Sequence, residues 1–458
     1  MIMNDTVNKK SALFVTAIAS FATPFMGSSI NIALPSIGRE FAMNAVLLSW
    51  VATSYLLASA MFLVPFGKAA DIYGRKKFFA YGIYIYTASS ILSAIATSAY
   101  LLIIFRILQG IGGAMIFGTG VAILISVFPV GERGRALGIN VAAVYLGLSL
   151  GPFLGGLLTQ HFGWRSIFLA NVPLGIVIIT LILTKLKGEW AEAKGERLDF
   201  TGSVVYSFTL IAIIYGFSLL PAMSGAWLII LGAVGVYIFI KWEMKIENPV
   251  FDINLFKKNK AFAYSNVAAL INYSATFAVM FLLSLYLQYI KGLSPQMAGL
   301  ILVSQPFVMT IFSPIAGWLS DRIEPRIVAS IGMASTTLGL FLFIFLKEKT
   351  ILELIIINLI FLGFGLALFS SPNTNAVMGS VDKRFYGVAS GTIGTMRVIG
   401  MMFSMGIAMV IFTVVIGRVE IIPEYYPSFL KSMKVAFTIF TVLCCAGIYA
   451  SIVRGKGR

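Results

Sequence analysis

Long apolar blocks separated by short polar segments run along the whole chain. Each block holds about 18–28 residues, which is enough for a helix to cross a bilayer whose hydrocarbon core is about 30 Å thick. None shows the alternation of apolar and polar residues that is typical of a membrane β-strand. The pattern predicts fourteen helical spans, at 12–35, 45–67, 78–97, 100–128, 135–160, 166–184, 200–219, 225–242, 261–290, 297–319, 327–346, 350–371, 386–416 and 434–453.

Composition supports an all-α polytopic membrane protein. Of 458 residues, 59% are hydrophobic and only 11% are charged, whereas soluble domains carry about 25% charged residues. The net charge of +16 favours a membrane face over a nucleic-acid partner, because basic residues concentrate on the cytoplasmic side of membrane proteins.

The distribution of lysine and arginine predicts the orientation of the spans. With both termini placed in the cytoplasm, 24 basic residues fall in cytoplasmic segments and 8 in outer segments. An odd number of spans would move the C-terminus outside and weaken this bias. The sequence therefore favours fourteen spans with both termini cytoplasmic.

A short motif occurs twice. Gly67 and Asp71 follow the second span, and Gly317 and Asp321 follow the tenth, 250 positions later in both cases. Two halves with the same orientation are a transporter architecture in which the substrate site lies between the halves. We expect a six-helix bundle over 1–185, a linker with two inserted spans over 186–260, and a second six-helix bundle over 261–458.

Glycine and proline are concentrated in one apolar stretch, at Gly138, Gly147, Gly151, Pro152, Gly155 and Gly156. Glycines four residues apart lie on one stripe of a helix and let a neighbouring backbone approach closely. Proline removes a backbone donor and bends the helix. The stretch predicts a helix that packs tightly and flexes against its neighbour, as in a moving membrane protein.

These motifs resemble those of the major facilitator superfamily. The loop at 67–77 is similar to its loop signature, 106–114 to its fourth-helix motif, and 138–156 to the fifth-helix motif of its exporters. Residues 30–35, 164–175 and 198–202 resemble the fourteen-span drug:proton antiporter subfamily. The resemblance covers nearly the whole chain.

The resemblance implies a latch in the cytoplasmic loop, formed by Gly67, Asp71, Gly74 and Arg75 and repeated at Asp321. Glycine permits close backbone approach, and the Asp71 carboxylate suits a helix N-terminus. The start of the thirteenth span, near Tyr386 and Gly387, is the candidate partner. The alternative is that the basic residues of this loop only set the topology.

Arg106 lies several residues inside the fourth span, where a cation needs a partner or a wet cavity. The resemblance implies a role for Arg106 in proton coupling. Among the carboxylates of the chain, Asp71 is the best remaining candidate for the group that carries the proton. The alternative is that Arg106 pairs with carbonyl groups and holds the first and fourth helices together. Arg397 in the thirteenth span is equally compatible with substrate binding and with helix packing.

The chain departs from the subfamily's multi-cation exporters at Met26, where the resemblance implies an acidic residue. No carboxylate falls at the centre of a predicted span, so we expect neutral or anionic substrates. Polar and soft side chains within spans are candidates for the substrate cavity, with lipid contact or helix packing as the alternative for each. They are Met26, Asn31, Tyr55, Asn140, Tyr145, Asn272, Gln305, Asn373 and Arg397.

The sequence thus predicts a multi-pass transporter of the cell membrane that exports small amphipathic molecules by alternating access. The proton gradient is the expected energy source, because the chain has no Walker loop for ATP. We expect a monomer in the lipid bilayer that needs no cofactor or metal and acts on a small molecule and protons. A dedicated exporter, importer or facilitator of one metabolite is the alternative, and a membrane enzyme or receptor is a remote one.

Overall fold

The computed structural model describes residues 2–129, 132–247, 249–251, 253–381 and 386–453. Every regular element in these residues is helical. Capping side chains start several helices in the chain's polar breaks. Asn44, for example, accepts a hydrogen bond from the amide of Leu47 at 2.8 Å and begins the second helix, because an asparagine oxygen satisfies one of the free amides of a first turn.

The first half of the chain forms seven helices, the sixth of which is a single turn. They are α1 (Ile2–Glu40), α2 (Ala45–Tyr73), α3 (Arg75–Ala94), α4 (Ala99–Val127), α5 (Arg133–Phe162), α6 (Arg165–Leu169) and α7 (Asn171–Thr184). Two further helices form a hairpin, α8 (Phe200–Leu219) and α9 (Met223–Glu243). Helix α8 packs against both α2 and the penultimate helix of the chain, so this hairpin, called the inserted hairpin below, touches both halves.

The second half continues through shorter and interrupted helices. They are α10 (Ile253–Lys258), α11 (Lys260–Thr276), α12 (Ala278–Leu285) with a π-helical turn (Tyr286–Ile290), α13 (Pro295–Leu302), α14 (Ser304–Arg322), α15 (Pro325–Phe343), α16 (Leu352–Gly379), α17 (Tyr386–Val415), a 3₁₀ turn (Pro423–Tyr425) and α18 (Tyr426–Val453).

Thirteen helical segments within the described residues are long and apolar enough to cross a membrane. The predicted span 78–97 coincides with α3, a helix of 20 residues that is not among the thirteen because serine and lysine lower its hydropathy. The count of fourteen spans therefore stays a prediction. The last span begins earlier than expected, at Pro423 instead of 434, because two lysines are accommodated in its first turns.

The two halves meet at one set of helix ends. The charge distribution places these ends on the outer side of the membrane. Ser284 donates a hydrogen bond to the carbonyl of Asn31 at 2.6 Å, and Gln288 donates one to the carbonyl of Ile32 at 2.9 Å. Towards the cytoplasmic ends, a Cβ atom on Gly138, Gly391 or Gly394 would meet nothing within 4 Å. The contacts between Ser284, Gln288 and α1 thus join the two halves on the outer side. The domain limits at 185 and 260 stay a prediction.

Candidate functional site

The glycine stripe of α5 lies directly against α1. A Cβ on Gly151 would overlap the Ser28 hydroxyl and lie 2.9 Å from the Phe25 carbonyl oxygen, and one on Gly155 would lie 2.8 Å from the Cα of Ser29. Ser29 donates to the carbonyl of Gly151 at 2.9 Å. Gly147 likewise faces the backbone of α1 at Phe21. The close approach expected of this stripe is confirmed, and its role in motion stays a prediction.

The outer end of α5 also touches the second half of the chain. A Cβ on Gly156 would lie 3.0 Å from the Cα of Gln296 at the start of α13, and one on Gly299 would overlap the Pro152 carbonyl. Glycines on both helices, Gly156 on α5 and Gly299 on α13, therefore form the outer seam between the halves. Gly138 is different, because it faces open space near the cytoplasmic end of α5.

Arg106 is buried, with 1% of its surface exposed, and bridges α4 to α2. Its Nε donates to the carbonyl of Val51 at 3.0 Å, its guanidinium lies 4.5 Å from the centre of the Tyr55 ring, and it donates to the side chain of Gln109. Gln109 continues the chain of hydrogen bonds to Ser90 on α3 at 2.8 Å. As the alternative to a coupling role expected, Arg106 pairs with a carbonyl. That carbonyl belongs to α2, however, and not to α1.

The loop between α2 and α3 carries an ion pair at the cytoplasmic face. Arg75 Nε donates to Asp71 at 2.7 Å, and its other nitrogens reach both carboxylate oxygens of Glu192 at 2.8 and 3.3 Å. Ser126 on α4 accepts a further bond at 2.6 Å. Gly74 needs to be glycine, since its φ is +124° and a Cβ would lie 2.5 Å from the Glu189 carboxyl carbon.

The partner of this loop is a cytoplasmic segment that the sequence reasoning missed. Residues 186–199, here called the acidic strap, lie across it: the amide of Arg75 donates to the Trp190 carbonyl at 2.8 Å, and Lys68 pairs with Glu196 at 2.5 Å. Glutamates spaced three and four residues apart opposite a basic loop were the available signal. The partner predicted from the sequence was the region of Tyr386 and Gly387, whose surroundings lie outside the described residues.

Two other parts of the expected latch are less tightly held. The Gly67 backbone lies close to α4, since a Cβ on Gly118 would be 3.4 Å from the Gly67 Cα, whereas a Cβ on Gly67 itself would meet nothing within 4 Å. In the second copy of the motif, Asp321 accepts a hydrogen bond from Asn375 on α16 at 2.9 Å. The repeat therefore ties its loop to a neighbouring helix in both halves, with different partners.

A polar cluster lies between the halves at half depth. Tyr145 on α5 donates to the Ser370 hydroxyl at 3.2 Å, Tyr273 on α11 lies 3.4 Å from the same hydroxyl, and Arg397 donates to Thr374 at 3.0 Å. Arg397 also lies 5.6 Å from the centre of the Tyr273 ring. At 1.5 Å per residue, these side chains sit about 7–20 Å from the cytoplasmic helix ends.

This half-depth cluster joins two predicted residues, Tyr145 and Arg397, to three that were missed. Tyr273, Ser370 and Thr374 gave no signal in the sequence, because aromatic and hydroxyl residues are common in membrane helices. The Nε atom of Arg397 is buried without a hydrogen-bond partner, which leaves a donor for a ligand. A cation beside hydroxyl groups favours neutral or negatively charged ligands.

The other predicted cavity residues are scattered through the two halves. Met26 Sδ accepts from Asn171 at 3.1 Å, Asn140 accepts from Ser20 at 2.8 Å, and Asn373 donates to the carbonyl of Ser265 at 3.0 Å. All seven of these other predicted residues are buried inside the helix packing: Met26, Asn31, Tyr55, Asn140, Asn272, Gln305 and Asn373. Both amide atoms of Asn272 and the Gln305 oxygen have no hydrogen-bond partner. The structure does not bring these residues into one pocket with the half-depth cluster.

Two helical halves that meet on one membrane face, with polar groups between them at half depth, define a membrane carrier of small molecules. A family model described as Major Facilitator Superfamily matches residues 16–248 and 266–455. The chain belongs to this superfamily. It is a multi-pass transporter of the cell membrane and not an enzyme.

Relatives and a solved structure agree with this family. Riboflavin transporter RibZ of Clostridioides difficile (strain 630) is 32% identical over 399 residues, which cover 86% of each protein. Multidrug resistance protein Stp of Mycobacterium tuberculosis (strain CDC 1551 / Oshkosh) is 31% identical over 398 residues, covering 85% of this chain and 73% of Stp. The crystal structure of a D-xylose-proton symporter has a TM-score of 0.68 at 13% identity, with 98% of both chains covered, and shows the shared fold.

Proposed function

We propose that the chain exports small amphipathic molecules, neutral or anionic, in exchange for protons. The observation that carries this proposal is the half-depth cluster around Arg397. In this cluster the hydrogen bond from Tyr145 to Ser370 crosses between the halves, and Arg397 has an unpartnered donor. Support for a binding site here comes from transporters of this architecture, which bind their substrate between the halves. Among the described residues, no carboxylate forms an ion pair with Arg397 or Arg106, and this supports a ligand that is not a lipophilic cation.

Export is supported by the seam between α1, α5 and α13. Three glycines of α5 contact α1, while Pro152 and Gly156 contact α13, so a small bend at Pro152 changes both contacts together. In this proposal, bending of α5 opens the outer side while the loop at Asp71 and Arg75 closes the cytoplasmic side. The monomer is the proposed working unit, because both halves of the pathway come from one chain.

Proton coupling is proposed to act through Asp71 and Arg106, with no cofactor. The test is proton flux in proteoliposomes when a candidate substrate is added, for the native protein, Asp71→Asn and Arg106→Ala. We expect substrate-driven proton movement in the native protein and a loss of at least tenfold in each variant. Movement that survives both substitutions would remove these two residues from the coupling mechanism.

A second candidate function is the transport of one metabolite. It is favoured by the relative named as a riboflavin transporter, which is the more similar of the two relatives described above. A susceptibility panel in a pump-deficient host, run beside riboflavin flux in the same proteoliposomes, separates the two functions. Resistance to several unrelated compounds supports broad export, and flux of riboflavin alone supports the dedicated transporter.

A further inference from the structure

Two carboxyl groups meet at the cytoplasmic end of the inserted hairpin. Asp199 caps α8 and accepts the amide of Gly202 at 2.9 Å, and Glu243 is the last residue of α9. Both are buried, with 7% and 1% of their surfaces exposed. Carboxylates are almost never this buried without a cationic partner, so the pair needs a physical explanation.

The hydrogen bonds around the pair leave one oxygen unsatisfied. Asp199 Oδ2 accepts from the Trp242 indole at 2.9 Å, and Glu243 Oε2 accepts from the amide of Phe251 at 2.9 Å. Glu243 Oε1 is buried with no donor. It lies near the Asp199 carboxyl, because both groups face the position of a Cβ on Gly202.

Gly202 makes this contact possible. A Cβ at this position would overlap Asp199 Oδ2 and would lie 2.7 Å from Glu243 Oε1. The glycine thus leaves a space between the two helices in which the carboxyl oxygens of Asp199 and Glu243 face each other.

The charged groups of the neighbouring elements have other partners or face solvent. On α2, Lys68 pairs with Glu196 and Asp71 with Arg75. On α9 and α10, Lys241 lies over the Tyr237 ring and Lys257 contacts Met244. Within the described residues, the flanking loops and the cytoplasmic turns of α17 form no ion pair with the two carboxyls. Three loop charges are exposed: Arg197, Lys245 and Glu247.

Two ionised carboxylates have only acceptor oxygens and repel each other, whereas one proton between them gives a donor to one and an acceptor to the other. We propose that Asp199 and Glu243 form a binding site for a single proton, shared between Glu243 Oε1 and Asp199 Oδ2, that holds the inserted hairpin to the following linker. Loss of the proton places two negative charges in contact and weakens the junction.

The consequence reaches the second half of the chain. Glu243 holds the amide of Phe251, whose ring packs on Phe256 at 5.4 Å, and Phe256 packs on Phe262 of α11 at 5.1 Å. Protonation of the pair therefore fixes the linker that enters α11. The proposal is independent of the transported molecule and of coupling through Asp71 and Arg106.

Infrared spectroscopy of the full chain in lipid vesicles tests for the proton. Spectra of the native protein, Glu243→Gln and Asp199→Asn are compared as the pH is raised through the neutral range. The native protein is expected to show a protonated-carboxyl band near neutral pH that Glu243→Gln lacks. Asp199→Asn is also expected to lack it at neutral pH, because the asparagine amide donates to Glu243 in place of the proton. Glu353→Gln, at an exposed carboxylate of α16, is the control that keeps the band.

Hydrogen exchange of peptides from 244–258, corrected for the chemical rate at each pH, tests the consequence. Exchange is expected to rise several-fold with pH in the native protein and to stay constant in Glu243→Gln, whose amide keeps the contact without a proton. A band that all variants retain, or equal pH dependence in native protein and Glu243→Gln, would overturn the proposal. Proton flux through Asp71 and Arg106 is measured separately, so failure of either proposal is recognised by itself.

Discussion

Arg106 shows how one residue combines the cost of a buried cation with a structural gain. Its guanidinium satisfies a carbonyl on α2, a glutamine on its own helix and the face of the Tyr55 ring. The planar group of arginine presents several donors in fixed directions, which lysine does not. The residue is therefore a structural joint between α2 and α4, whatever it contributes to coupling.

We expect Arg106→Ala to destabilise the protein by about 3 kcal/mol, because it removes a donor from the Val51 carbonyl and leaves the buried Gln109 oxygen without its arginine partner. Arg106→Lys keeps the charge and loses most of these bonds. Thermal unfolding in detergent, followed by size-exclusion chromatography, measures the loss for both. A stability equal to the native protein for Arg106→Ala would contradict the structural role, and proton flux retained by Arg106→Lys alone would assign the coupling role to the charge.

At the scale of elements, the seam between α1 and α5 and the strap across the α2–α3 loop are built in opposite ways. The seam consists of backbone and small side chains in contact, so a single added methyl group disturbs the packing. The strap consists of ion pairs with partly exposed carboxylates, and Glu192 keeps 62% of its side-chain surface exposed. Pairs of this kind contribute little to stability, and they separate and form again easily.

Two glycines of α5 give a matched pair of substitutions. Gly151→Ala is expected to cost about 1–3 kcal/mol through overpacking against Ser28 and Phe25, and to reduce transport. Gly138→Ala faces open space and gains about 1 kcal/mol of helix propensity. Thermal unfolding and transport of the same substrate are measured for both. Equal effects of the two substitutions would contradict the close seam.

The strap is tested by Glu192→Gln, which removes the charge that faces Arg75. We expect less than about 1 kcal/mol of lost stability, because the pair is partly exposed, together with faster hydrogen exchange in the α2–α3 loop. Lys194→Gln, at an exposed charge of the same segment, is the control and should leave this exchange unchanged. Unchanged exchange in Glu192→Gln would show that the strap is held by its backbone contacts alone.

At the scale of the whole molecule, the two halves are joined on the outer side. The contacts of Ser284 and Gln288 with α1 and of Gly156 with α13 join the halves outside. An exporter that works by alternating access takes up its substrate in this state.

Cysteine labelling tests this state. In a protein in which Cys444 and Cys445 are replaced by serine, Gly394→Cys lies one turn before Arg397 and is expected to react with a membrane-impermeant maleimide only in inside-out vesicles. Glu424→Cys, in the turn before α18 that the charge distribution places outside, should react only in right-side-out vesicles. Reaction of Gly394→Cys from the outer side would contradict both the orientation and the closed outer seam.

Much of the fold was predictable because the membrane restricts which structures can span it. Hydropathy predicts the spans, spacing predicts the repeat at Asp71 and Asp321, and residue size predicts the tight packing of Gly151. The site was less predictable. Tyr145 and Arg397 were identified as polar residues within spans, but Tyr273 and Ser370 are ordinary in membrane helices.

The sequence by itself determined the class of protein, since apolar length, the bias of basic residues and glycine spacing act locally along each helix. Only the tertiary structure decided which polar groups meet. The Glu192 contact with Arg75 spans 117 positions, the Tyr145 contact with Ser370 spans 225, and Asp199 meets Glu243 only because α8 and α9 pack side by side. Contacts of this kind depend on how helices are arranged in space, and local periodicity carries no record of that arrangement.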